Sequence, residues 1–547
     1  MTLEQTFSDP PTGASLASVS SASRCDRPRG PLGLRLAVQL QAFTAAPAKW
    51  LEAAWWRLVG KRLRSRWLFS PLLGSAPVAY RLWLSRNETE GSCSPVASPP
   101  IVALVDDSAE AGEEALAATL HSLALENLPA LVGTPAEAAA RIDWAASPWL
   151  LPLAAGDTLA PGAARAYRMA IAKRATRIAY ADDDRIDAAN RRSAPHFKPD
   201  WNVELQGHCD MLSGASILQP TRAELERVGA VREWPRRLAE LLAAEAPPIH
   251  VRKVLHHRRT RPLPQFPAAL VPGILPPISI IIPTRNRADL LRTCFAGLAA
   301  TTYPDREILV VDNDSDDPET LALLGSLDPK IARVLRHPGG FNFSAINNRA
   351  AAEAKGRLLC LLNNDVEMIE STWLNTLVTQ ALRPEVGAVG ARLLYPDGRI
   401  QHAGVLLGLG GGTGHAHRLL RPDDEGYFRR HALPQYVSAV TAACLVVSRE
   451  KYLAVGGLDE REFPVAFNDV DLCMKLNTRG WQTLYEPRAT LVHHESISRG
   501  LDRDAAGARR LAGELAALKR KWVPEGMVDP FHHPALSRFS ETFVVDL

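Results

Sequence analysis

The chain has no Cys-x-x-Cys pair, and its seven cysteines (Cys25, Cys93, Cys209, Cys294, Cys360, Cys444 and Cys473) are scattered and odd in number. That spacing argues against a structural zinc site and a disulfide framework, and fits buried, reduced thiols in the cytoplasm. No run of about 18 uncharged apolar residues occurs, so no spanning helix is expected. The N-terminus, with Glu4 and Asp9 among Ser and Pro, has no basic stretch ahead of an apolar one and does not read as a signal peptide. Neither sign of charge is in excess. The 63 Lys and Arg against 60 Asp and Glu leave +3, so nucleic acid is not an expected partner. What is present is the composition of a soluble globular protein, 46% hydrophobic and 22% charged, in 547 residues. That length is too great for one ordinary core and predicts two domains plus tails.

Residues 1–30 are Ser/Pro/Gly-rich and are expected to be a disordered tail. Residues 31–96 form a basic, Trp-rich amphipathic segment. Within it Trp50, Trp55, Trp56, Trp67 and Trp83 alternate with Arg57, Lys61, Arg62, Arg64, Arg66, Arg81 and Arg86. On a helix, Trp55, Trp56, Val59, Leu63 and Trp67 share one face, with Arg57, Lys61 and Arg64 opposite. That pattern suits residues 31–86 lying on a membrane surface, or equally a helix packed on its own domain. Residues 97–255 read as a first α/β region built on Ile101–Asp107, Trp149–Asp157 and Ile178–Asp184. A Pro-rich basic connector follows at 256–277, then a second α/β region at 278–500, then a C-terminal helix and tail at 501–547. The halves look like a diverged repeat, with Leu153-Ala-Ala-Gly-Asp157 aligned on Leu361-Leu-Asn-Asn-Asp365. The first copy carries nothing like Pro283-Thr-Arg-Asn286, so it is expected to be scaffold or acceptor surface.

The densest chemical signal is Arg357-Leu-Leu-Cys-Leu-Leu-Asn363-Asn364-Asp365, a buried strand ending in two amides and a carboxylate. In open α/β sheets ligands sit beyond the carboxyl ends of strands. One Asp beside two Asn suits a hard divalent cation that keeps some waters and binds phosphates. Upstream, strand 278–282 ends in Pro283-Thr284-Arg285-Asn286, a turn that can offer N–H groups and side chains to a nucleotide. The next strand ends at Asp312-Asn313-Asp314, where Asp312 could accept from a pyrimidine N3–H or simply serve a turn. Asn347 and Asn348, early in a helix, could line a nucleotide pocket. Downstream come Phe467-Asn468-Asp469-Val470-Asp471 and His493-His494. The segment from Gln401 to His417 is glycine-dense but lacks Gly-Lys-Ser/Thr, so it is no P-loop; a mobile flap is expected. Ser438–Cys444 reads as a small-residue strand beside an acceptor pocket or in the core.

Taken in order, Pro283-Thr-Arg-Asn, Val311-Asp-Asn-Asp-Ser, Asn342-Phe-Ser-Ala-Ile-Asn-Asn, Leu362-Asn-Asn-Asp, Ala466-Phe-Asn-Asp-Val-Asp-Leu and His493-His-Glu-Ser resemble the inverting family 2 glycosyltransferases of the GT-A fold. Within them the pattern is similar to the bacterial rhamnosyltransferase-like group. The resemblance covers roughly 276–500 and extends weakly into the first half through Tyr180–Asp187 and His196–Trp201. It implies a GT-A catalytic domain preceded by a truncated, diverged GT-A-like domain. It places Asp365 on Mg²⁺ or Mn²⁺, with His493 or His494 completing the shell. It places Asp469 as catalytic base. Pro283, Thr284, Arg285, Asn286, Asp312, Asp314, Asn347, Asn348, Asn363 and Asn364 would then hold a dTDP- or UDP-sugar donor. Asn363 departs from the commoner Asp at the head of that motif and brings no charge. The implied acceptor is a glycan or glycolipid, and the implied place is the cytoplasm or the inner face of its membrane. A non-catalytic glycan-binding protein on a transferase fold is the alternative, which the set Asp365, Asp469 and His493/His494 argues against.

Overall fold

The computed structural model describes residues 30–88, 99–106, 112–172, 176–231, 233–270, 273–494 and 505–547. The expected disordered tail lies outside them apart from Gly30, as do Asp107, Glu495 and Ser496 of the motifs above. Four helices come first: α1 (Leu32–Ala45), α2 (Pro47–Leu58), α3 (Arg62–Gly74) and α4 (Ala79–Asn87). The single helix expected to carry Trp55 through Trp67 on one face does not form. It breaks at Gly60, whose φ of +82° is open to glycine without penalty, and α3 packs against α2. The tryptophans part company as a result. Trp50 lies edge-on to Phe43 and Phe69, Trp67 meets Phe539 with ring centres 6.2 Å apart, and Trp83 packs 4.9 Å from Phe197. Trp55 stays 58% exposed.

The first α/β half contains β1 (Ile101–Asp106), β2 (Ala130–Val132), β3 (Trp149–Ala154), β4 (Thr158–Leu159), β5 (Ile178–Ile186), β6 (Arg192–His196), β7 (Ser216–Leu218) and β8 (Ile249–Arg258). β8 therefore runs on through His256, His257 and Arg258, into the stretch read as connector. The second half contains β9 (Ile278–Thr284), β10 (Arg306–Asp312), β11 (Ala332–Arg336), β12 (Leu358–Leu362), β13 (Val366–Met368), β14 (Val386–Leu394), β15 (Ile400–His402), β16 (Val405–Leu407), β17 (Thr413–His415), β18 (Gln435–Tyr436), β19 (Cys444–Ser448) and β20 (Gln482–His493).

The strand orders, β2-β1-β3-β7-β5-β8-β4 and β11-β10-β9-β12-β19-β14-β20-β13, superimpose one on one once β11 is set aside. In each sheet one late strand, β7 or β19, runs antiparallel between two others. In each, a short strand after the central acid (β4 or β13) pairs antiparallel with the last long strand (β8 or β20). This is the α/β class expected, with the larger sheet in the second half and a smaller one of the same strand order in the first. The inner strands are apolar along their length because helices cover both faces. Ile278, Ile280 and Ile282 pack with Leu358, Leu362 and Val446 on one side; Ile281, Leu359 and Leu361 pack on the other. Each such side chain contributes roughly 1.5–3 kcal/mol on burial, which fixes the strand ends that carry the polar residues.

The glycine-dense segment is not the flap expected of it. β16 and β17 form an antiparallel hairpin whose Leu406, Leu409 and Ala416 are buried. The C-terminal segment holds it: Glu541 accepts from His415 N–H and from Arg418. At Gly410 a Cβ would come within 2.7 Å of the Trp67 ring. Glycine there permits close packing rather than a hinge. The same tail crosses to the first half, where the Asp200 N–H donates to the Pro530 carbonyl at 2.8 Å.

Candidate active site

A cavity of about 740 Å³ opens where β9, β12 and β20 end, walled by Pro283–Arg287, Asn363–Asp365, Thr441–Ala443, Asn468, Asp469, His493 and Arg510 among others. Asp365 stands three residues past the end of β12 and is 3% exposed. The β13–β20 pairing sets His493 opposite Val366, which brings its Nε2 to 3.1 Å from Asp365 Oδ1. His493 Nδ1 lies 2.7 Å from Gln401 Oε1, while Gln401 Nε2 donates to the His493 carbonyl. With the amide so oriented, Nδ1 donates to Gln401, and Nε2 is the nitrogen turned to the carboxylate. Asn363 Nδ2 stands 3.3 Å from that same Nε2. The adjacent ring goes elsewhere. His494 Nε2 is 3.1 Å from Glu367 Oε2, because successive strand residues point to opposite faces. The expectation that either histidine could serve thus narrows to His493, and His494 is corrected to a surface pair.

Asp469 also lines the cavity, from the first turn of the helix Asn468–Thr478. Its Oδ2 accepts from Ala442 N–H at 3.1 Å and its Oδ1 from Val470 N–H at 2.8 Å. Burial pushes its carboxyl above the ordinary Asp range, and those amide donors only partly counter the shift. A carboxylate raised towards neutrality is a better proton acceptor for a hydroxyl. Asp471 points away, fully buried, and is taken by Lys475 at 3.0 Å and Lys521 at 2.7 Å.

The remaining expected residues divide. Thr284 lies on the wall and accepts from Asn364 Nδ2 at 3.0 Å, with Pro283 and Arg285 beside it. Asn286 is on the wall too, but its side chain clamps the loop after β10, accepting from Asp316 and Asp317 N–H. Asp312 and Asp314 do not line the cavity. Asp312 is buried against Arg336 and accepts from Ser315 N–H, and Asp314 accepts from Gly339 N–H. Asn347 and Asn348 are also corrected. Asn347 is buried and donates to Phe343 O within its own helix, while Asn348 braces the loop at Leu458 and Glu460 and accepts from Tyr452. Of the small-residue strand, Thr441, Ala442 and Ala443 reach the wall, whereas Ser438 donates to Asp529. Two contributors escaped sequence reasoning. Gln401, which orients His493, was visible only as the edge of a glycine-rich stretch. Arg510 belongs to a C-terminal helix with no motif of its own.

The donor set fits a divalent cation. A buried carboxylate and an imidazole nitrogen face one another across a distance that two ligands of one ion adopt, and the ring's other nitrogen is held from behind by a carbonyl oxygen, as a ligating histidine needs. Oxygen with one nitrogen and room for phosphate oxygens suits Mg²⁺ or Mn²⁺.

Residues 279–452 match the model described as Glycosyl transferase family 2. The chain is 38% identical over 420 residues to uncharacterized protein y4gI of Sinorhizobium fredii, covering 68% of this chain and 46% of that one. It is 36% identical over 438 residues to the O-antigen biosynthesis protein RfbC of Myxococcus xanthus, covering 70% and 33% respectively. It is 27% identical over 252 residues to an N-acetylglucosaminyl-diphospho-decaprenol L-rhamnosyltransferase of Mycobacterium tuberculosis, covering 42% and 78%. The chain thus spans less than half the length of the first two of these relatives.

Proposed function

Through residues 279–452 this chain belongs to glycosyl transferase family 2, and from that premise we propose that it is a metal-dependent inverting glycosyltransferase acting on a growing, lipid-linked cell-surface polysaccharide. The observation that carries the reading is the placement of Asp365, His493 and Asp469 on the wall of one cavity. Asp365 and His493 would hold the cation, which when bound would neutralise the donor's diphosphate and ease its departure. Pro283, Thr284, Arg285 and Asn364 present the edge on which the nucleotide lies. Asp469 accepts the proton of the acceptor hydroxyl as that oxygen bonds to the anomeric carbon. The bond from that carbon to the diphosphate oxygen breaks on the opposite face, which inverts the centre. The donor to try first is dTDP-rhamnose, with UDP-sugars beside it, since the mycobacterial relative is named for transferring L-rhamnose to a diphospho-decaprenol-linked sugar.

A lipid-linked acceptor requires access to a bilayer surface, and residues 31–86 suit one. Leu32, Leu36 and Leu40 are exposed along one face of α1, and Leu51, Trp55 and Leu58 along α2. The segment holds nine Lys and Arg against the single acid Glu52. Exposed apolar side chains beside cations match anionic headgroups over an acyl layer. No helix among the described residues is long and apolar enough to cross a membrane. Flotation with phosphatidylglycerol vesicles should carry the protein, and Leu36→Asp with Trp55→Asp should release it; equal flotation of both would count against the surface.

The activity itself is tested by nucleotide release from dTDP-rhamnose and UDP-sugars with Mn²⁺. Asp469→Asn is expected to lower the rate by about 10²–10⁴ with no fall in melting temperature. A variant as active as the parent would remove the base from the mechanism.

A further inference from the structure

The helix Ala505–Lys521 lies beyond the stretch matched by the family model, yet it supplies one wall of the cavity through Arg510. We propose that Arg510 is a diphosphate-binding residue of this cavity and that Glu514 is the positioning residue coupling it to Asp469; this rests on the transferase reading above. Arg510 and Glu514 are one helical turn apart, with Arg510 Nε 3.4 Å from Glu514 Oε2. Glu514 is 2% exposed, and its other oxygen, Oε1, accepts from Val465 N–H at 2.7 Å and Ala466 N–H at 2.9 Å. A carboxylate buried this fully requires charge-assisted partners, and its partners here are a cavity arginine and the loop leading into the base.

That loop has little freedom to compensate. Phe467 follows at φ +61°, a strained position for a bulky residue, and Asn468 and Asp469 come next. The rest of the helix fastens to the same segment from the far side: Trp522 Nε1 donates to Asp471 at 2.9 Å, Lys521 pairs with Asp471 at 2.7 Å, and Arg520 pairs with Glu462. The attachments thus bracket Asp469 on both sides. Arg285, Arg287 and Arg510 line the cavity against the acids Asp365 and Asp469, although Arg287 also pairs with Asp289. A planar fork of donors suits diphosphate oxygens better than any neutral sugar. The diphosphate has two possible sources, the nucleotide of the donor and the polyprenyl carrier of the acceptor, and Arg510 lines the same cavity as the base.

The test measures binding of dTDP, UDP, dTMP and UMP with Mn²⁺, and of farnesyl diphosphate, to the full chain and to Arg510→Met. Loss of roughly tenfold in dTDP or UDP binding, with the monophosphates unchanged, assigns Arg510 to the donor. The same loss confined to farnesyl diphosphate assigns it to the acceptor carrier. Equal binding by parent and variant overturns the proposal, whereas a parent that binds none of these ligands overturns the transferase reading itself. Glu514→Gln keeps a carbonyl for both loop N–H groups but loses the pairing with Arg510, so it should behave as Arg510→Met and leave the pH profile of kcat in place. Glu514→Leu loses both and should lower kcat and displace the acid limb of that profile. A Glu514→Leu protein with changed melting temperature but unchanged profile would remove the positioning role, and Arg510→Lys regaining part of the lost affinity would support the charge assignment.

Discussion

Asp157 follows β3 and stands beside the β4–β8 pairing that sets Thr158 opposite His257, just as Asp365 follows β12 beside the pairing that sets Val366 opposite His493. From these matched positions the two halves diverge. His493 turns its Nε2 to Asp365, but His257 turns away to Asp184, with Nδ1 at 2.7 Å. Asp157 instead accepts from Arg259 N–H and has Arg258 Nε 3.8 Å away, so a guanidinium stands where the second half has room for a cation. The acids of β5 are closed off in the same way. Asp183 pairs with Lys198 and Arg261, and Asp184 accepts from Tyr80 and Arg192. Asp182 meets His250 and His533, each at 3.0 Å.

Asp182, His250 and His533 converge closely enough to suggest a metal, but their nitrogens are committed. His533 Nδ1 accepts from Ala535 N–H, so Nε2 carries the proton, and His250 lies between Asp182 and Asp200, where both ring nitrogens donate. The cluster is an ion network that straps the C-terminal segment to the first half. Carboxylates at strand ends must be neutralised when buried. The acids of the first half are met by protein side chains, some of them, such as His533 and Tyr80, from outside it, while in the second half Asp365 lines an open cavity.

The sharpest way to break this comparison is to delete one acid from each half. Asp183→Ala strands Lys198, which is 1% exposed, and loss of one partner of a buried pair costs about 3–5 kcal/mol. Denaturant midpoints should show it. Asp365→Ala should leave the midpoint nearly in place and abolish the stabilisation by Mn²⁺ that the proposed cation site predicts for the parent. Similar stability losses at both positions would mean that the second acid is structural as well.

The pH responses should oppose one another. Burial alone would raise the Asp183 carboxyl, but Lys198 and Arg261 overcome it and hold the group well below the ordinary range. Its contribution to stability is therefore fully present above the unfolded value of about 3.9 and disappears as pH falls through the depressed folded value. Asp469, raised by burial, behaves in reverse: its contribution is present below about 3.9 and is lost as pH climbs through the raised folded value. Activity needs the ionised base, so the rate should fall on acidification at a pH where Asp183 still holds the first half together. Rate and melting temperature against pH check this, and an acid limb in the rate no higher than the ordinary Asp range would contradict the burial of the base.

How much of this was legible in the sequence follows from how local each signal is. A buried strand that ends in polar residues is visible in a few letters, so Asn363–Asp365, Pro283–Asn286 and the doubled α/β plan could be read directly. Asn347 and Asn348 misled because their partners, Phe343 apart, come from Tyr452, Leu458 and Glu460, over a hundred residues on. The neutralisation of Asp182–Asp184 was equally hidden, since His533 arrives from the far end of the chain. The single amphipathic helix failed on a local detail, Gly60, whose meaning depends on α3 having somewhere to pack. Only His493 against His494 could have been settled earlier, by the period-2 alternation of a strand ending at the first of them.

The finest contrast lies between the matched histidines. His493→Ala removes a nitrogen from the cation site and should weaken Mn²⁺ binding by at least the roughly tenfold that loss of a ligand's orienting partner already costs, with little change in melting. His257→Ala removes a buried hydrogen bond to Asp184, a loss of about 1.5–3 kcal/mol for a charged partner, and should leave Mn²⁺ binding untouched. His494→Ala should do neither, because its ring meets only the half-exposed Glu367. Titration of Mn²⁺ followed by thermal shift reads all three. If His257→Ala weakened metal binding, the Arg258 guanidinium would not be the substitute for a cation that its place beside Asp157 implies, and the first half would have kept a site of its own.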